Sequence, residues 1–282
     1  MSPATPSVLV PLDGSKNAEN ALPGAAMLSR VFDLALEVVH VLDPAHDSAT
    51  LEAESRAFDA YGRRLADDYA LDPDRCRFQV FRGAAAETIL GLAAGAIWIA
   101  MSTHGRGGFR AMFIGSVADK VVRGTPVPML LVPGVGRPPE TPSRVLVALD
   151  GSAEAERALE PARRIGRQFG AHLTLLRAYS LIPPVAAGWE AGYPSEVLEI
   201  AASDASTYLA RVSLAGEETV AVRGDPTRAI TTTAAEIGAD LVVLTASGKG
   251  LAGRLALGST TDRVMHTLHR PLIIMPPTER SA

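Results

Sequence analysis

The chain repeats itself, and this repeat constrains its fold more than any other feature of the sequence. VLVPLDGSKNAENAL at residues 8–22 returns as VLVALDGSAEAERAL at 145–159. Likewise, THGRGGFRAMFIGS at 103–116 returns as ASGKGLAGRLALGS at 246–259. Because the matching blocks keep their order along the chain, the sequence is a duplication of one folding unit.

A segment rich in proline and glycine separates the two copies. PGVGRPPETPS at 133–143 cannot continue a helix or a strand, because proline lacks the amide hydrogen and restricts the backbone. We therefore predict a first domain at residues 1–136, a semi-extended linker at 137–143 and a second domain at 144–282.

Aliphatic runs alternate with helical patterns in both copies. Runs that are almost wholly aliphatic are typical of parallel strands that helices cover on both faces. The alternation predicts an α/β fold in which each copy is a doubly wound, Rossmann-like domain with a five-stranded parallel sheet. The expected strands lie near residues 8–12, 34–42, 77–82, 96–101 and 129–132 in the first copy, and near 145–149, 173–178, 218–222, 241–245 and 272–275 in the second.

Composition limits the class of protein. The formal net charge of −4 argues against a nucleic-acid-binding protein, which usually carries a basic excess. The apolar runs are too short to cross a membrane, and the amino terminus shows no secretory signal. A single cysteine, Cys76, excludes an intramolecular disulfide framework. We expect a cytoplasmic protein that binds neither nucleic acid nor membrane.

Two segments of each copy are expected to meet beyond the carboxyl ends of the strands, where sheets of this kind bind ligands. The first is the sequence DGS, at 13–15 and 150–152. The aspartate or the serine caps the helix that follows. Alternatively, the carboxylate of Asp13 or Asp150 accepts hydrogen bonds from an adenine amino group or a ribose hydroxyl, and the two roles can coexist.

The second segment is a glycine-rich loop that leads into a helix. Gly105, Gly107 and Gly108 let the backbone approach a ligand closely. Ser116-x-x-Asp119 resembles a capping box, and Ser259-x-x-Asp262 repeats it. A helix start also attracts anions through its N–H groups and dipole. A capped helix and a phosphate site are therefore both open interpretations.

Charged and polar residues accompany this loop. Arg106 and Lys249 occupy the same place in the two copies, where they either neutralise phosphate or point into water. His104 is the histidine expected in the first site, and the second copy has Ser247 there. His104 therefore either shapes the loop or serves as a catalytic group in one copy alone.

The sequence resembles the universal stress protein family, and its two copies resemble the tandem form of that family. The resemblance rests on VLVPLDGS, VVHVLDP, MSTHGRGG, FIGSVADKVV and VPMLLVP. The family's ATP-binding pattern, G-x2-G-x9-G-[ST], is matched at 102–116 and 245–259 except that serine and threonine replace the first glycine. The resemblance implies ATP, or else AMP or ADP, with any magnesium held mainly by phosphate oxygens and water.

The resemblance also implies equivalent nucleotide contacts in the two copies. Adenosine contacts fall at the ends of the first two strands, and ribose and phosphate contacts fall on the loop and the helix start. Arg106 and Lys249 are added as candidate phosphate partners. The implied contacts are Pro11, Asp13, Val41, Ser102, Gly105, Gly115, Ser116 and Val117 in the first copy, and Ala148, Asp150, Ala178, Thr245, Gly248, Gly258, Ser259 and Thr260 in the second.

The implied function is that of a nucleotide-binding stress-response regulator with one or two sites per chain, not an enzyme beyond slow ATP hydrolysis. Two alternatives stay open: an enzyme that hydrolyses ATP or transfers nucleotides, and an interaction module whose loops no longer bind nucleotide. The long irregular segment at 179–195 motivates the interaction module. The family also associates through its last strand, which implies an intrachain pseudo-dimer and leaves a further homodimer open.

Overall fold

The computed structural model describes residues 5–45, 48–105, 114–134, 140–180, 195–246 and 257–277. The chain divides into two compact units. The first comprises Met1–Thr141 and His269–Pro276, and the second comprises Pro142–Leu268 and Pro277–Ala282. Within the described ranges, no helix has the length and apolar character needed to span a membrane.

The first unit alternates strands and helices around one sheet. Its elements are β1 (Ser7–Pro11), α1 (Lys16–Glu19), α2 (Ala21–Phe32), β2 (Ala35–Leu42), α3 (Ser48–Asp68), β3 (Cys76–Arg82), α4 (Ala85–Ala93), β4 (Trp98–Ser102), α5 (Ser116–Gly124) and β5 (Met129–Val132), with the chain's last strand, β10 (Leu272–Met275). The strand order is β3-β2-β1-β4-β5-β10. All neighbours are parallel except β10, which is antiparallel to β5.

The second unit repeats this pattern. Its elements are β6 (Arg144–Leu149), α6 (Ala153–Glu156), α7 (Leu159–Phe169), β7 (His172–Tyr179), α8 (Ser195–Val212), β8 (Glu218–Arg223), α9 (Pro226–Glu236), β9 (Leu241–Thr245) and α10 (Ser259–Thr267). The strand order is β9-β6-β7-β8, and all neighbours are parallel.

The doubly wound α/β prediction is confirmed in both units. The predicted strands agree with the observed ones to within about two residues at each end, as expected for long aliphatic runs. Every residue of β1 and of β9 is buried. Parallel strands that are buried on both faces form the centre of each core.

The last strand of the second copy lies in the first unit. Leu272 and Ile273 of β10 pair with Leu131 and Leu130 of β5. All residues of both strands are buried. The pairing satisfies backbone groups that β5 would otherwise expose at a sheet edge. The repeat alone had placed this strand with residues 144–282.

A buried carboxylate joins α1 to α3 in the first unit. Glu19 is 1% exposed and accepts hydrogen bonds from Lys16 Nζ (2.8 Å), Arg64 Nη2 (2.8 Å), Tyr61 Oη (3.0 Å) and Tyr69 Oη (3.3 Å). Burial raises the pKa of Glu19, but the hydrogen bonds from Lys16, Arg64 and Tyr61 together outweigh it, so its pKa lies below the ordinary value. The charged carboxylate therefore stabilises the α1–α3 contact.

The second unit keeps only part of this cluster. Glu156 occupies the position of Glu19 in the repeat, and its side chain is 30% exposed and accepts from Arg211 Nη2 at 2.8 Å. The buried Tyr208 hydroxyl has no hydrogen-bond partner among the described residues. Burial, with Glu156 as a further cause, raises the pKa of Tyr208 to about 12.

We predict that Glu19→Gln destabilises the protein by about 2 kcal/mol, because it removes a buried charge that several donors face. The matched change Glu156→Gln should cost about 0.5 kcal/mol or less, since it alters a partly exposed ion pair. Urea unfolding at pH 7 measures both free energies. Equal losses in the two variants would contradict the assignment.

Glu19→Gln should also make the free energy of unfolding less dependent on pH in the acid range. The folded-state pKa of Glu19 is lowered, so its stabilisation is present above the unfolded-state value of 4.5 and is lost as the pH falls through the folded-state pKa. Unfolding measured from pH 7 to pH 3 should show a smaller loss of stability in Glu19→Gln than in the unsubstituted protein.

Candidate functional site

A tight turn after β1 places a carboxylate at the carboxyl edge of the first sheet. The Oδ1 atom of Asp13 accepts the N–H (2.9 Å) and the O–H (2.6 Å) of Ser15. Ser15 Oγ in turn accepts the N–H of Ala18 (3.2 Å) and caps α1. Gly14 has a φ of 81°, a conformation that favours glycine. Ser15 is therefore the cap, and Asp13 holds it in place.

The second unit builds the same turn. Asp150 Oδ1 accepts the N–H (2.9 Å) and the O–H (2.6 Å) of Ser152, whose Oγ accepts the N–H of Ala155 at 3.1 Å. Gly151 has a φ of 85°. The two DGS sequences therefore form the same hydrogen-bonded turn and the same helix cap.

The turn after β1 touches the loop after β4. A Cβ atom at Gly105 would lie 2.1 Å from Asp13 Oδ2, so only glycine allows this approach. Asn17 of α1 adds a hydrogen bond from Nδ2 to the Gly105 carbonyl, at 3.4 Å. The two predicted segments therefore meet in the first unit, at the ends of neighbouring strands.

Backbone hydrogen bonds fix the position of the chain where it enters α5. The N–H of Gly115 donates to the Thr103 carbonyl at 2.8 Å, and the N–H of Thr103 donates to the Val132 carbonyl at 2.8 Å. Gly115 has extended backbone and is the N-cap of α5. Glycine has no side chain with which to cap, so this helix start carries no side-chain cap bond.

The predicted capping box at Ser116 and Asp119 is therefore wrong. Ser116 is the first helical residue, one position too late to cap, because the Gly115 carbonyl already accepts the N–H of Asp119 at 2.9 Å. The Asp119 carboxylate instead accepts two hydrogen bonds from Arg123 Nε, at 3.0 and 3.1 Å.

The second unit shows the same helix start, and the same correction applies at Ser259 and Asp262. Gly258 is the N-cap of α10, has no side-chain cap bond, and donates its N–H to the Ala246 carbonyl at 2.7 Å. Thr261 Oγ1 ties the helix to the Thr245 carbonyl at 2.9 Å.

The residues that replace the family's first glycine are buried. Ser102 ends β4 and Thr245 ends β9. Ser102 Oγ accepts the N–H of His104 at 3.4 Å. The Ser102 side chain is thus directed at the backbone of its own loop.

His104 packs within the loop region of the first unit. Its Nδ1 atom lies 2.9 Å from Thr103 Oγ1, at hydrogen-bonding distance. A Cβ atom at Gly134 would lie 2.9 Å from His104 Cβ, and Asn20 Nδ2 donates to the Gly134 carbonyl at 3.1 Å. These contacts join His104 to Thr103 and to the segment at Gly134.

The other predicted contacts lie at the same sheet edges. Val41 and Ala178 are the penultimate residues of β2 and β7. The structure describes most of the predicted nucleotide contacts. They are Pro11, Asp13, Val41, Ser102, Gly105, Gly115, Ser116 and Val117 in the first unit, and Ala148, Asp150, Ala178, Thr245, Gly258, Ser259 and Thr260 in the second. Arg106, Gly248, Lys249 and Ser247 lie outside the described residues, as does 181–194, most of the irregular segment.

The sequence did not indicate the contacts of two residues next to the predicted site, His40 and Arg177. His40 Nδ1 lies 2.7 Å from the Leu12 carbonyl. Arg177, at the matching position of β7, instead donates to the Asp204 carbonyl (3.1 Å) and carboxylate (2.9 Å), and stacks over the Tyr208 ring at 4.8 Å. The exchange of histidine for arginine between the copies was the available signal.

Two doubly wound units, each with an aspartate turn and a helix that begins after a glycine at its carboxyl edge, define a tandem α/β protein. The model of the universal stress protein family matches residues 5–133 and 142–276. The chain belongs to the universal stress protein family.

Curated relatives are similar in sequence, and a solved structure shares the fold. A universal stress protein of Mycobacterium tuberculosis strain H37Rv is 25% identical over 298 residues, which covers 95% of this chain and 96% of that protein. One from Thermus aquaticus is 29% identical over 137 residues, covering 46% of this chain and 96% of that protein. The crystal structure of a universal stress protein from Archaeoglobus fulgidus has the same fold, with a TM-score of 0.69 at 22% identity, covering 98% of this chain and 99% of that one.

We predict that Gly105→Ala destabilises the protein by about 1–3 kcal/mol, because the new methyl group collides with Asp13. Combined with Asp13→Ala, the same change should cost clearly less, since the colliding carboxylate is gone. A double-mutant cycle in urea measures the difference.

Gly91→Ala is the matched control. Gly91 lies within α4 and has open space where a Cβ would stand, so alanine should be neutral or stabilise by up to about 1 kcal/mol. If Gly105→Ala behaves like this control, the close approach to Asp13 does not constrain the loop.

Proposed function

We propose that this protein binds adenine nucleotide, and ATP in particular, at the carboxyl edge of both units, and that it acts as a stress-response regulator. Membership of the universal stress protein family supports the stress-response role. The observation that carries the nucleotide proposal is the helix start at Gly115, repeated at Gly258, where no side chain supplies a cap.

Phosphate is the group that suits these helix starts. The first N–H groups of an α-helix have no partner within the helix, and the helix dipole adds a partial positive charge there. In α5 and α10, Ser116 and Ser259 are the exposed first residues and add hydroxyl groups. Glycine at the N-cap leaves room for phosphate oxygens to reach the N–H groups. Each helix has nine residues, enough for a substantial dipole.

Adenosine then extends along the sheet edge toward the aspartate turn. Asp13 and Asp150 are half-buried. In each, a serine two residues later donates hydrogen bonds to Oδ1 and so fixes the orientation of the carboxylate. We propose that these carboxylates accept a hydrogen bond from the adenine amino group or from a ribose hydroxyl. The main chain of Val41 and Ala178, near the ends of β2 and β7, contacts the base.

Binding, rather than metabolic turnover, is the activity we propose. His104 has no counterpart of its type in the second copy, and its contacts with Thr103 and Gly134 suit a structural role. Magnesium bound with ATP is held by phosphate oxygens and water in this proposal. The nucleotide then serves as a signal that the protein senses.

We predict that the purified protein binds ATP with two equivalents per chain, and that Asp13→Ala and Asp150→Ala each weaken one site by tenfold or more. Losing a hydrogen bond to a charged group costs about 1.5–3 kcal/mol, and 1.4 kcal/mol corresponds to about tenfold. Isothermal titration calorimetry measures stoichiometry and affinity together.

Asp59→Ala is the control, because Asp59 is an exposed aspartate on α3 outside the proposed contacts. It should titrate like the unsubstituted protein. The nucleotide released by denaturing freshly purified protein, separated by ion exchange, identifies the natural ligand. Absence of ATP binding at millimolar concentration would overturn the proposal and favour an interaction module.

A further inference from the structure

The residue before the Asp13 turn is fixed through both of its backbone polar groups. The N–H of Leu12 donates to the Val39 carbonyl at 2.8 Å, and the Leu12 carbonyl lies 2.7 Å from His40 Nδ1. Leu12 is itself buried, and Asp13 follows it directly. The position from which the Asp13 side chain departs is therefore set by β2 on both sides.

His40 acts here as a hydrogen-bond donor. A carbonyl oxygen only accepts, so Nδ1 must carry the hydrogen. The His40 ring also stacks on Phe58 of α3, with centroids 5.5 Å apart and planes at 28°. His40 is half-buried, and its ring is thus held by α3 while its donor reaches the turn.

The Asp13 carboxylate has little freedom to move. Its Oδ2 atom lies 2.1 Å from the position that a Cβ at Gly105 would take, and its Oδ1 atom accepts the O–H of Ser15. A shift of Leu12 toward the loop would press the carboxylate into Gly105, and a shift away would withdraw it from the sheet edge. Small displacements of this kind change affinity strongly when a ligand is held by precisely placed donors and acceptors.

The second unit lacks this histidine. Arg177 pairs with Leu149 in the strand register but donates to Asp204, which lies on α8. Its guanidinium group stacks over Tyr208 of the same helix. The side chain at this position is therefore used to attach β7 to α8.

We propose that His40 is a positioning residue for the first nucleotide site: its Nδ1–H group holds the Leu12 carbonyl and so sets the Asp13 carboxylate against Gly105. This inference rests on the proposed nucleotide function. It makes the two sites unequal, because affinity in the first unit depends on a donor at position 40, while the residue at position 177 serves a helix contact.

The test separates the donor from the ring. His40→Asn keeps an N–H donor at the place of Nδ1 but removes the ring, whereas His40→Phe keeps a ring against Phe58 but removes the donor. Both are made in the full-length chain carrying Asp150→Ala, so that ATP binding reports on the first unit. Calorimetry gives the dissociation constant, and thermal melting without nucleotide reports on folding.

We expect His40→Asn to bind ATP within about threefold of its parent, and His40→Phe to bind about tenfold more weakly, although it melts at a similar temperature. Tenfold corresponds to roughly 1.4 kcal/mol, the scale of one lost hydrogen bond. If His40→Phe does not fold, His40→Leu takes its place in the comparison.

Other outcomes overturn the inference. Parental affinity in His40→Phe would show that the donor is not needed. Weak binding in His40→Asn would show that ring packing, not the hydrogen bond, matters. If the parent carrying Asp150→Ala binds no ATP while Asp13→Ala in the unsubstituted background does, the first unit is not a nucleotide site. Failure of both backgrounds to bind ATP overturns the proposed function itself.

Discussion

One carboxylate oxygen in each copy determines how the sheet edge is built. Oδ1 of Asp13 or Asp150 accepts both the N–H and the O–H of the serine two residues later, and that serine caps the following helix. The bonds end the strand, start the helix and orient the carboxylate in a single turn. In the first unit the orientation brings the carboxylate against Gly105, so the loop after β4 is shaped around it. The rest of the edge depends on this turn.

The helix starts at Gly115 and Gly258 lack the side-chain hydrogen bond of a serine or aspartate cap, at a cost of only about a few tenths of a kcal/mol each. Both glycines instead bind a carbonyl of the preceding loop, that of Thr103 or Ala246, so their position is well defined. A defined helix start without a side-chain cap suits the proposed anion site, because no cap side chain binds its first N–H groups.

The aliphatic runs sufficed to predict the strands and the edge where the site lies, because burial on both faces leaves a strong local pattern. The capping-box prediction was wrong for a local reason: Ser116-x-x-Asp119 has the right spacing, but the pattern does not reveal that the Gly115 carbonyl accepts the N–H of Asp119 and makes Gly115 the N-cap. The pairing of β10 with β5 was expected only from the family resemblance, and the hydrogen bond from His40 was not predicted, because both are tertiary contacts that local periodicity does not encode.

The two copies agree in the residues proposed to contact the ligand and differ in the residues that hold those contacts in place. The aspartate turn and the glycine helix start are the same in both units. Behind them, Glu19 accepts four hydrogen bonds where Glu156 is partly exposed, and His40 is replaced by Arg177, which attaches β7 to α8. The same turn and helix start are therefore held by different contacts in the two units. In the proposed function, two sites of this kind would respond to one nucleotide over two ranges of concentration, which a single site cannot do.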